Sequence, residues 1–162
     1  MPKRLIISAL LALAACSSEP ADPLGEARAA LAAQNLDAAR FVLVAGLRDA
    51  PRDAALLDLL ADVQLRMGDA AGARATLARL EAAGGKGLRF DQLMAETLLK
   101  SGKPEEALAP LGAERSPESI RIRAAALLEL DDPAGAIALW EQVVAGGVDA
   151  AALRMAYDYG SY

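Results

Sequence analysis

Four alanines, Ala39, Ala73, Ala107 and Ala136, stand at successive separations of 34, 34 and 29 residues. They anchor segments that read alike: "ALAAQNLDAARFVLVAGL", "DVQLRMGDAAGARATLARL", "ETLLKSGKPEEALAPL" and "LLELDDPAGAIALW". A second alanine column precedes the first by twelve residues in every segment, at Ala27, Ala61, Ala95 and Ala124, and a large apolar residue follows it by four, at Leu43, Leu77, Leu111 and Trp140. Small side chains at a fixed offset across a tight turn let two helix backbones approach closely. Each segment therefore predicts an antiparallel helical hairpin. From Gly25 onward no stretch sustains the period-two alternation of a strand. The apolar fraction is 54% with only 4% aromatic residues, a mix that favours closely packed helices, so the expected class is all-α.

Local signals agree with this division. Ser116-Pro117 and Asp132-Pro133 each offer a capping side chain followed by a proline whose missing N–H costs nothing at a first helical position. Pro104-Glu105-Glu106 sets carboxylates at a positive helix end, and Gly68 and Gly102 supply turns. The loop Gly84-Gly85-Lys86-Gly87 has the glycines of a phosphate cradle. It lacks the preceding strand and the Ser or Thr after the lysine, so it is read as a connection between units.

A 34-residue period with one helix pair per unit resembles the tetratricopeptide repeat. The two alanine columns, the turns "MGDAAGA" and "SGKPEEA", the large residue one turn into each second helix and Pro51 closing the first unit carry the likeness over about residues 21–155. The large aromatic residues usual in the first helix of such a repeat are missing, and the third unit is about five residues short. The resemblance implies an α-solenoid of about four hairpins over residues 25–162. A further helix within "AAALRMAYDYG" would cap the stack, followed by a tail in which Tyr157, Tyr159 and Tyr162 gather.

Ahead of the repeats, Met1-Pro-Lys-Arg is followed by an apolar run from Leu5 to Ala15 and then by Cys16, the single cysteine of the chain. A basic end, a short apolar core and small residues form an export signal. The run holds eleven residues, against roughly 20 for a spanning helix. Leu13-Ala14-Ala15-Cys16 is similar to the lipobox of bacterial lipoprotein precursors, in which the peptide is cut before the cysteine and the new N-terminus is acylated. The likeness implies residues 1–15 as signal, Cys16 as lipid attachment site and residues 16–24, "CSSEPADPL", as linker. Ser17, rather than an aspartate, points to the outer membrane, with the domain facing the periplasm.

Removing residues 1–15 from 162 leaves 147, and losing Lys3 and Arg4 from 17 basic residues leaves 15 against 22 acidic ones, a balance of −7. Such a surface repels phosphate backbones, which argues against nucleic acid as partner. There is no histidine, so the commonest metal ligand and general base are both missing. No cofactor, metal or catalytic residue is assigned.

In tetratricopeptide proteins the first helices of successive pairs line a concave surface that binds a protein or peptide. Projection from the first alanine column places Arg28, Asp58, Asp62, Arg66, Arg89, Gln92, Glu96, Lys100 and Arg121 there. The competing account of each charge is a solvated helix face, since Asp62–Arg66 and Glu96–Lys100 are acid-to-base pairs four apart. Trp140, in a core column, is assigned to packing. The expected function is an envelope-anchored, non-catalytic scaffold that binds a protein or peptide. The alternative within the same physics is an assembly factor for an outer-membrane, pilus or polysaccharide-export machine. An acidic envelope protein could instead hold a carboxylate pair acting on polysaccharide. Against this, the acids lie mostly at helix starts or in pairs four apart, where nothing raises a carboxylate pKa.

Overall fold

Helix starts in this chain are set by capping side chains. Asp22, Asn35, Asp53, Asp69, Ser116 and Asp132 each accept a hydrogen bond from a backbone N–H two or three residues on. In the computed structural model, which describes residues 22–145 and their side chains through residue 142, eight helices follow from these starts. They are α1 (Pro23–Ala32), α2 (Leu36–Asp49), α3 (Ala54–Arg66), α4 (Ala70–Ala82), α5 (Leu88–Lys100), α6 (Pro104–Leu111), α7 (Pro117–Glu129) and α8 (Pro133–Ala145). No strand occurs among the described residues.

The helices pair as hairpins, α1 with α2, α3 with α4, α5 with α6 and α7 with α8. Each even helix packs on the next odd one, and each odd helix also meets the odd helix that follows it. The architecture is all-α and repeat-like. The turn inside each hairpin is one motif used four times. Gln34, Gly68, Gly102 and Asp131 take positive φ of 58°, 78°, 70° and 59°, again at separations of 34, 34 and 29 residues. The next residue's N–H, of Asn35, Asp69, Lys103 or Asp132, donates back to the carbonyl of Ala30, Gln64, Leu98 or Leu127 at 2.8–3.0 Å. This closure satisfies carbonyls that the helix end leaves open. Three of those four residues then turn their side chains forward to cap the second helix. Lys103 cannot accept such a bond. There Pro104 has no N–H to satisfy, and the lysine ammonium pairs with Glu106 at 2.7 Å instead.

All eight column alanines are buried, as are Leu43, Leu77 and Leu111. Trp140, expected in the core, is only half-buried. One apolar cluster runs from Ala27 to Leu93, and a second, smaller one joins Ala95, Leu99, Ala107, Leu111, Ile122 and Ala126. Both clusters draw on α5. The shortening of the third unit falls on α6, eight residues long with Pro110 inside it and a Gly112 turn at φ 49°. Arg123 of α7 braces that turn, donating to the carbonyls of Gly112 (2.8 Å) and Glu114 (3.1 Å).

The assigned linker differs at its end. Asp22 caps α1 and Pro23 is its first residue, so Pro23 and Leu24 belong to the first helix. Pro23 uses the same rule as Pro117 and Pro133, a proline where the N–H has no helical partner. Cys16, residues 1–15 and the C-terminal helix with its tyrosines lie outside the described residues.

Candidate functional site

The charged residues projected onto one face come from α3, α5 and α7, and the contact of each odd helix with the next brings most of them together. Asp58, Asp62 and Arg66 follow one another a turn apart on α3, where residues four apart share a face. Asp62 is paired through both carboxylate oxygens. Arg66 Nε lies 2.8 Å from Oδ2, and Arg89 Nη2, from the start of α5, lies 2.7 Å from Oδ1. The Arg89 Nε also stands 3.9 Å from Asp58. Asp62 keeps only 13% of its side chain exposed, while Arg66 and Arg89 keep 41% and 44%. The outer edges of both guanidinium groups therefore still face solvent.

One repeat further on, 34 residues after Asp62, Glu96 of α5 receives Arg121 of α7 at 3.2 Å. Arg121 is also held by Glu118 at 2.7 Å, a residue the sequence projection did not select. Its signal was a first-turn carboxylate three residues ahead of an arginine on one helix face, which reads equally as a favourable charge at a helix N-terminus. An acid on one odd helix bonded to an arginine from the next thus occurs twice, at the repeat spacing.

The electrostatics of the two clusters differ. At Asp58, burial disfavours the charged carboxylate and raises its pKa, the Arg89 charge opposes this, and the neighbouring Asp62 adds to the rise. At Arg121 burial works against the charge, but the Glu118 hydrogen bond and the Glu96 and Glu118 charges outweigh it and raise the pKa. The first cluster leaves one acid incompletely compensated; the second is closed on itself.

Three of the projected residues behave differently from these. Gln92 is buried, and its amide donates to the hydroxyls of Ser116 (3.0 Å) and Ser119 (3.1 Å), so it links α5 to α7 and is not presented to a ligand. Side-chain projection missed this because the serines sit 24 and 27 residues away in sequence. Lys100 does not pair with Glu96, which Arg121 occupies; it is exposed and makes no ion pair among the described residues. Arg28 on α1 is likewise exposed and outside both clusters. Among the described residues no three His, Cys, Asp or Glu side chains gather as a metal site would need, and no helix is long and apolar enough to cross a membrane. No protein-family model matches this chain, and no curated protein matches it either.

Proposed function

We propose that the chain is an envelope lipoprotein tethered through Cys16, with a tetratricopeptide-like α-solenoid that binds a protein or peptide on the face formed by its odd helices and catalyses nothing. The observation that carries this reading is the repetition of the cross-helix pair, Arg89 on Asp62 and Arg121 on Glu96, at the repeat spacing. Pairs of this kind hold long side chains in fixed positions before a ligand arrives, so less side-chain freedom is lost on binding. The exposed guanidinium edges of Arg66 and Arg89 suit a partner's carboxylates and backbone carbonyls, and Asp58 suits a basic group. The lipobox-like end of the apolar N-terminal run supports the tether, and the recurring turns and odd-to-odd packing support the solenoid.

Lys100 and Arg28 are the residues with which to test the face, because their reversal leaves both ion-paired clusters intact. The double variant Arg28→Glu/Lys100→Glu should fold as the parent does by circular dichroism, since exposed charges contribute only about 0–1 kcal/mol. It should lose partners captured by crosslinking in intact cells and show an altered salt dependence. Capture that survives unchanged would remove the odd-helix face from the reading. Cys16→Ser, expressed in a Gram-negative host, should lose acylation and membrane retention; persistence of both would remove the tether.

A further inference from the structure

The outer surface of α2 carries a feature that the other repeats do not share. Phe41 is 75% exposed and Val44, one turn on, 42% exposed. At the repeat separations Phe41 aligns with Ala75, Ala109 and Ala138, all exposed, and Val44 with Ala78, Gly112 and Glu141. The position faces solvent in every hairpin and is filled by alanine in three of the four. Packing within the repeat therefore does not call for a large residue there. Only the first hairpin carries an aromatic one.

The flanks of that stripe are charged in a particular way. Arg40 and Arg48 are exposed and form no ion pair among the described residues, and together with Asp37, Phe41, Val44 and Ala45 they border a broad shallow depression along α2. Asp37 lies at the N-terminal end of the stripe, where the helix dipole favours it. An aromatic and a β-branched residue between two free guanidinium groups form an amphipathic surface. Its apolar centre suits the acyl boundary of a bilayer, and its cations suit lipid phosphates.

The chain outside the described residues brings a bilayer within reach. Five residues, Ser17 to Ala21, separate Cys16 from Asp22 at the cap of α1. Fully extended, that span covers at most about 20 Å. A lipid on Cys16 therefore keeps the first hairpin closer to the membrane surface than any other, and the first hairpin is the one with Phe41.

We infer that the outer face of α2, through Phe41, Val44, Arg40 and Arg48, docks on the surface of the membrane that holds the lipid anchor. This rests on the tether proposed above. The contact would orient the molecule on the bilayer while leaving the odd-helix face, on the other helix of each hairpin, to a partner.

The test uses the full chain, acylated in cells and reconstituted into vesicles of phosphatidylethanolamine and phosphatidylglycerol with brominated acyl chains. Two variants are compared in a Trp140→Phe background: Phe41→Trp, and Ala75→Trp at the equivalent place in the second repeat. Trp fluorescence at position 41 should be quenched several-fold more than at position 75. Equal quenching at the two positions in protein whose mass shows acylation overturns the docking face and leaves the tether standing. Protein that is exported and carries no lipid overturns the tether and the docking face together. A dimer in lipid-free detergent that Phe41→Asp dissociates would assign the face to a second copy instead. If Trp140→Phe does not fold, the same comparison is made with Trp140 retained, as the signal added over the parent.

Discussion

Single residues decide how the odd-helix face behaves, and Asp58 has the most consequence. Its pKa lies above the ordinary 3.8, with burial the largest cause. An acid of this kind stabilises the fold below its unfolded value and loses that contribution as pH rises through its folded value, so at neutral pH the ionised carboxylate is a cost. Asp58→Asn should therefore raise the melting temperature modestly at pH 7, with the gain shrinking towards nothing as pH falls to the ordinary carboxylate value. Thermal melts across that range check it, and a variant less stable than the parent at pH 7 would mean that Arg89 compensates Asp58 fully. Gln92 makes the opposite point. A glutamine on a helix face looks like a ligand-binding residue until the tertiary structure sets two serine hydroxyls against it.

At the scale of elements, the helices begin and end where local chemistry dictates, and their contacts depend on what small residues permit. Gly46, inside α2, shows this. A Cβ there would lie 2.8 Å from Pro23 Cβ and 3.2 Å from Leu56 Cδ1, so α2 passes close to the start of α1 and of α3 because position 46 has no side chain. In an isolated helix Gly→Ala stabilises by about 1 kcal/mol. Here the proline ring cannot swing away, and Gly46→Ala should lower stability in a denaturant titration in spite of its better helix propensity. A stabilised variant would show that the two elements separate easily. The same logic separates the four turns. Gly68 and Gly102 were visible as turn residues, whereas Gln34 and Asp131 hold the same left-handed conformation without glycine, imposed by the backbone bonds of Asn35 and Asp132.

For the molecule as a whole, the division of the core predicts uneven stability. Hairpins one and two share the larger cluster, and Arg52 and Arg79 clasp them further by donating to the carbonyls of Ala82 (2.8 Å) and Pro51 (3.2 Å). The second cluster is smaller and depends on a short α6 interrupted by Pro110. In a repeat array each unit is held by its neighbours alone, so opening can be local. Amides of α6 and α7 should exchange with solvent at least about tenfold faster than those of α3 and α4, roughly a 1.4 kcal/mol gap in opening free energy. Uniform protection measured by hydrogen exchange would show that α5 couples both clusters into one cooperative unit.

Sequence periodicity alone determined the helical class, the four hairpins and the buried alanine columns, because close helix contact demands small residues at repeated positions and capping chemistry acts over three or four residues. It also assigned Asp62 and Arg66 to one face, since residues four apart on a helix must share one. What it could not decide is which charge answers which across helices. Glu96 had Lys100 four residues away and Arg121 twenty-five away, and the structure joins it to Arg121. Lys100 is left in solvent, Gln92 is enclosed, and Glu118 is drawn into the site. The reason is physical: local pairing follows from helical geometry, whereas a bond between helices depends on the distance and angle at which two repeats pack, and those are properties of the assembled stack.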